Sequence, residues 1–422
     1  MRSRDIRRRV SAVMKDVSMQ DNLPGARVIV HGARKCDVDG EADGFWVVFD
    51  GDRIAATGAG GGWAEHAASG DHVVDGAGGL LTPGFIDLHG HGGGGRSFDE
   101  AASGATAVDS ASGGAFDTAL AVHRAHGTTR SVISLVANPV ATLERSLSAI
   151  ADLAQHDPLV LGSHLEGPFL APGRRGAHNP DFLIHPSSAL TERLVAAARG
   201  TLRQVTIAPE LPGGLDAVAE FTEAGVLAAV GHTEADEDQA RAAFDRGARL
   251  LTHAFNAMPG IGHRQPGPVV AAIRDERVTA ELILDGVHVH PDVARLLLDA
   301  APGRVALITD AMAAAGAADG AYRLGSLNAA VVDGVARLVG PDGAPGAIAG
   351  STLTQDQALR NAVRRSGRDL RAAVTALTWI PARVLGLEGR LGRLAPGYAA
   401  DAVLLDEACA VRAVWGAGRR LA

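Results

Sequence analysis

The chain has 422 residues, 46% of them hydrophobic and 21% charged, with 53 Gly, 19 Pro and 2 Cys, enough for one large α/β barrel with a small appended module. That composition excludes a peptide, a disulfide-stapled scaffold and a disordered chain. A formal net charge of −8 excludes a general attraction to nucleic acid or anionic lipid, so an anionic substrate needs a locally basic site.

Residues 1–24 read as a flexible basic tail, with Met14 and Met19 as alternative starts. The run RRRV is not followed by the apolar segment of a signal peptide, and no stretch approaches the ~18 apolar residues of a membrane span. Both points indicate a cytoplasmic protein. Residues 25–80 then carry short β-like stretches (ARVIVHGA, GFWVVFDGDRIAATG, HVVDGAGGLLTP) broken by Gly and Asp, and residues 388–422 have the same texture. One small β-sandwich module built from both chain ends is expected. Cys36 and Cys409 have no metal-like spacing and read as reduced thiols.

Residues 81–387 alternate short apolar runs with amphipathic ones. The predicted strands are Phe85–His91, Thr128–Ala137, Leu159–Glu166, Arg203–Glu210, Ala228–Glu234, Arg249–Asn256, Thr279–His288 and Val305–Asp310. Between them AFDTALAVHRAHG, SSALTERLVAAARG and PDVARLLLDAA place apolar residues at helical spacing, two of them ending at Gly. Eight such units predict an α/β fold, a (β/α)8 TIM-like barrel. No GxGxxG opens the first helix after a strand, which disfavours a doubly wound sheet.

The polar residues collect at the C-terminal ends of these strands, the face on which barrel enzymes place their chemistry. They are Asp87, His89 and His91 on strand 1, Glu166 on strand 3, Glu210 on 4, His232 on 5, His253 on 6, His288 on 7 and Asp310 on 8. A lone strand-end histidine is ordinarily a hydrogen-bonded core residue; histidines on three strands with acids on two more are not explained that way. His89 and His91 share a face and can hold one ion such as Zn²⁺ or Fe²⁺, and His232 with His253 can hold a second. Two adjacent ions need a bridging anion. Some barrel hydrolases bridge with a modified lysine, but the only lysines here are Lys15 and Lys35, so Glu166 is the natural substitute. Asp310 in LITDAM is either a structural carboxylate or, in this company, the general acid/base. Gly92–Gly95 read as a flexible rim, and Glu210 as either a site or a structural carboxylate.

In order along the chain, PGFIDLHGHGGGG (83–95), HLEGPFL (164–170), RRGAH (174–178), TIAPE (206–210), VGHTEA (230–235), THAFNAM (252–258), DGVHVHP (285–291), LITDAM (307–312), AGSTLT (349–354) and PARVLGL (381–387) resemble the N-acetylglucosamine-6-phosphate deacetylase family of amidohydrolases. The resemblance runs from about residue 26 to the C-terminus. It implies removal of acetate from N-acetyl-D-glucosamine 6-phosphate, with the galactosamine epimer or another amide as the alternative. It implies one or two divalent ions, Zn or Fe, on Glu166, His232 and His253, with His89 and His91 matching members that hold a second. Asp310 matches the catalytic acid/base and His178 the histidine at the acetamido group. Asn256 and Ala257 match contacts to the sugar phosphate, and Arg264 and His288 the phosphate-binding pair, part of which some members draw from a neighbouring subunit; a homodimer is therefore implied. His164 is expected to support the ligands without being one. Arg175 stands where the family has its usual basic residue.

Overall fold

The computed structural model describes residues 27–103 and 114–422; the basic tail 1–24 lies outside the described residues. The barrel strands, numbered first to eighth along the chain, are Phe85–Gly90, Thr128–Leu135, Val160–Glu166, Leu202–Ile207, Leu227–Val230, Leu250–Leu251, Thr279–Ile283 and Val305–Ile308. They pair in parallel in that order. The ring closes where Asp310 N–H donates to the His89 carbonyl (2.8 Å) and His91 N–H to the Ala311 carbonyl (2.7 Å). Each strand is followed by a helix that buries one apolar stripe against it. Pro291–Ala300, for example, opens on proline, whose missing N–H costs nothing there, and buries Ala294, Leu297 and Leu298.

Side chains alternate across each strand, so Leu88, Leu165, Val205 and Leu282 face the helices within the main apolar core. The opposite face of the same strands is polar. Inside the barrel His164 lies between Ser134 Oγ (3.0 Å) and Thr206 Oγ1 (2.8 Å), and the Gln204 amide donates across the ring to Glu281 (2.7 Å). Most barrel strands end two to five residues earlier than the apolar pattern suggests. His232, His253 and Asp310 lie just past their strands with positive φ (47°, 26° and 48°), a conformation L-residues adopt only under local constraint.

Between the eighth strand and its helix Gln355–Arg364 the chain inserts a four-stranded antiparallel sheet, Gly320–Leu324, Leu327–Val332, Val335–Val339 and Pro345–Ile348. This sheet is absent from the sequence expectation. It packs Leu324, Ala329, Val331 and Ala336 against Val136 and Met312 at the mouth of the barrel.

The two chain ends form one mixed sheet, joined where Leu80–Pro83 pairs antiparallel with Ala402–Leu405. Phe49 and Trp415 stand on strands separated by three others, about 19 Å apart in a flat sheet. Their rings are 6.0 Å apart, so the sheet folds over and encloses its own core, as the expected sandwich requires. Arg130 of the second strand fixes it to the barrel through two hydrogen bonds to buried Asp401 (2.6 and 3.1 Å).

Candidate metal centre and its cavity

Six side chains from five strand ends converge in two buried groups, Glu166 with His232 and His253, and His89 with His91 and Asp310. In the first, Glu166 Oε1, His232 Nε2 and His253 Nε2 form a triangle with 3.0 Å on every edge. His232 Nδ1 lies 2.8 Å from the Arg174 carbonyl, which can only accept, so the ring hydrogen is on Nδ1 and Nε2 turns a lone pair toward the carboxylate. Two facing lone pairs call for a cation between them. Two imidazole nitrogens and a carboxylate oxygen would suit zinc-type coordination.

The second group is built alike. His89 and His91 present Nε2 atoms 3.1 Å apart, and Asp310 Oδ1 is 3.6 and 3.4 Å from them. Glu166 belongs to both: Oε2 is 3.1 Å from His91 Nε2, while Oε1 closes the first triangle. Burial disfavours charge on His89 and His91, yet the carboxylates of Glu166 and Asp310 outweigh it, holding His89 well above the usual histidine range and His91 at about 9. The cluster draws positive charge, and its mixed imidazole and carboxylate donors suit one or two divalent ions.

A cavity of about 340 Å³ opens over these groups, lined in part by His91, Glu166, His178, His232, His253 and Asp310. His178 is buried and accepts from the Ala137 N–H at Nδ1 (3.1 Å), which leaves its Nε2–H as a donor, 3.2 Å from Glu166 Oε2. Burial lowers it to about 4, so it is neutral at physiological pH. Arg174, Asn256, Ala257 and His288 also line the cavity. Although burial opposes it, Asp285 Oδ2 at 2.7 Å from Nδ1 raises the His288 ring from its ordinary value and so favours its charged form. Asn256 donates to the carbonyls of His253 and Ala254 and braces the turn that carries the ligand.

Every sequence-predicted site residue except Arg264 is in or directly under this cavity. Arg264 is exposed on the loop after the sixth strand and does not line it. Glu210 accepts from Thr233 and from the Glu234 N–H, and so braces the loop behind His232 without reaching a ligand atom. Gly92–Gly95 are a pinned hairpin, not a flexible rim: His123 Nε2 lies 2.8 Å from the Gly92 carbonyl, and the N–H groups of Gly94 and Gly95 donate to Ala315 and Ala313. Gly176 of the RRGAH loop favours glycine, since its φ is 55° and a Cβ would press to 3.2 Å from His232 Cε1. Sequence reasoning missed Leu324, Ala347 and Ile348, which wall the cavity from the inserted sheet, and Arg174, which lies beside the expected Arg175. It also missed Glu281, whose only signal was an acid within the apolar run ELIL.

Known proteins agree with this geometry. The family described as Amidohydrolase family matches residues 80–421. The chain belongs to the amidohydrolase family. Within it, this amidohydrolase is closely related to N-acetylglucosamine-6-phosphate deacetylases. It is 43% identical to the Mycobacterium smegmatis N-acetyl-D-glucosamine-6-phosphate deacetylase, whose aspartate-to-alanine variant was solved with N-acetyl-D-glucosamine 6-phosphate. That match covers 94% of this chain and 100% of the other, with a TM-score of 0.85. The Thermotoga maritima enzyme of the same name is 27% identical, covering 93% and 99%, with a TM-score of 0.80. An N-acetylgalactosamine-6-phosphate deacetylase from Escherichia coli O157:H7 is 39% identical over 81% of this chain and 87% of its own. Among the described residues no helix is long and apolar enough to cross a membrane.

Proposed function

We propose that this amidohydrolase removes acetate from N-acetyl-D-glucosamine 6-phosphate to leave D-glucosamine 6-phosphate. The observation that carries the reading is the shared Glu166, which joins two ligand groups at a cavity that Arg174 and His288 also line. Glu166, His232 and His253 would hold a divalent ion, Zn²⁺ or Fe²⁺, and His89 with His91 a second; the chemistry so supplied would be polarisation of the amide carbonyl and a lowered pKa of water. Asp310, at the cavity wall, takes the proton from the attacking water and returns it to the departing amine. The Nε2–H of neutral His178 points into the same space and donates to the acetyl oxygen as negative charge develops on it.

At the other end Asn256 and Ala257 hold the sugar phosphate, and protonated His288 supplies charge to the phosphate. Arg264 completes that site from a second copy of the chain. Its loop exposes Ile261, and the connection and helix after the seventh strand expose Val287 and Leu296, apolar surface that a homodimer would cover. Residues 81–387 carry the catalysis, while residues 25–80 and 388–422 support the barrel. A phosphorylated sugar is confined by its charge, which suits a cytoplasmic enzyme.

The E. coli relative favours a second reading, the galactosamine epimer. Acetate release measured on the 6-phosphates of N-acetylglucosamine and N-acetylgalactosamine, and on both unphosphorylated sugars, separates the two. No release from either phosphate overturns the proposal.

A further inference from the structure

One buried carboxylate has no part in the chemistry above. Glu281 lies in the middle of the seventh strand with no exposed surface, directly under the metal groups. A carboxylate in such a place is costly unless its oxygens are hydrogen-bonded. Here Oε2 lies 3.3 Å from His89 Nδ1 and accepts from the His253 N–H (3.4 Å), while Oε1 accepts from the Gln204 amide (2.7 Å). Gln204 stands across the barrel on the fourth strand, so the carboxylate is held from both sides and cannot swing away from His89.

The other three ligand histidines are supported differently. His232 uses a backbone carbonyl, and Nδ1 of His91 and of His253 has no hydrogen-bond partner among the described residues. Among these four, and within the described residues, only His89 has a carboxylate at Nδ1. Such a partner fixes the ring hydrogen on Nδ1, frees the Nε2 lone pair for an ion and makes that nitrogen a stronger donor. We propose that Glu281 is the positioning residue of the second metal site: it sets the tautomer, orientation and basicity of His89, and through the His253 backbone ties that site to the first. The inference rests on the metal-hydrolase reading only in taking His89 as a ligand, and it adds a dependence of one site, not both, on a residue that touches no substrate.

The test is a Co²⁺ titration of the chelator-stripped full-length protein, wild type against Glu281→Gln and Glu281→Asp, reading ions bound per chain, visible absorption and Tm. Glu281→Gln keeps the shape and removes the charge. It is expected to retain one tight ion and to weaken the second by roughly tenfold to a hundredfold, with Glu281→Asp recovering part of the loss. Three results overturn the proposal: two ions bound by Glu281→Gln within twofold of wild type, equal weakening of both ions together with a lowered Tm, or a wild type that takes up a single ion at saturation. Acetate release by the untouched wild type reads the deacetylase assignment separately, so failure of one is not mistaken for failure of the other.

Discussion

The Oε2 atom of Glu166 lies 3.1 Å from Nε2 of His91. Because Oε1 of the same carboxylate closes the triangle with His232 and His253, one side chain serves both ligand groups. Glu166→Gln is therefore expected to reduce bound metal below one ion per chain and to lower kcat by about a thousandfold, the scale of a few kcal/mol of lost charge stabilisation. His91→Ala removes a ligand from one group only and should leave one ion in place. Metal analysis beside kcat checks both variants; a Glu166→Gln protein with full metal content would show that the carboxylate is not shared.

Asp310 offers its carboxylate to the cavity and is not part of the Glu166 triangle. Asp310→Asn keeps the side-chain shape and removes the proton acceptor. Its kcat should fall by about 10²–10⁴-fold, while the ion on Glu166, His232 and His253 stays bound and KM moves little. A variant turning over at near the wild-type rate would assign the proton transfer to another group.

Arg264 and His288 are expected to act on KM. Losing one charge-assisted contact to phosphate costs about 1.5–3 kcal/mol, or about ten- to a hundredfold in KM. His288→Gln and Arg264→Ala should narrow the preference for phosphorylated over unphosphorylated substrate. Since Arg264 does not line the cavity of its own chain, mixing Arg264→Ala with Asp310→Asn after subunit exchange should restore activity, up to about a quarter of wild type for random pairing of two-fold dimers. With substrate well below the wild-type KM, a mixture no more active than the two variants kept apart would place Arg264 in its own subunit's site or outside the site altogether.

The barrel was legible because its outward strand faces and helix stripes are apolar at regular spacing, and His89, Glu166, His232, His253 and Asp310 each follow such a run. Less legible were the strand ends: polar pattern alone does not say that Val230 ends a strand and His232 turns left-handed two residues later. The inserted sheet 320–348 was legible in part and overlooked: its two middle strands carry Val on either side of Asp333-Gly334, a hairpin signal, while its first and last strands are short and largely exposed, and it interrupts the βα alternation where the barrel pattern expects a helix. Glu281 is illegible for a different reason. Its partners Gln204 and His89 lie on the fourth and first strands, and only closure of the ring brings them together.

Away from the site, Asp356 is a buried carboxylate at the start of the helix Gln355–Arg364. Burial alone would raise it, but His126 at 3.1 Å, Arg360 at 2.9 Å and the Thr354 hydroxyl outweigh that and hold it at about 2, below the ordinary 3.8. A carboxyl depressed on folding stabilises the native state above its unfolded pKa and loses that contribution as pH falls through the folded value. The wild type should therefore lose about 2 kcal/mol between roughly pH 4 and pH 2 from this residue. Asp356→Asn, neutral throughout, should be less stable at pH 7 and show a shallower fall in this window. Denaturant unfolding of both proteins at pH 7, 4 and 3 tests this, and parallel curves would remove Asp356 from the acid response.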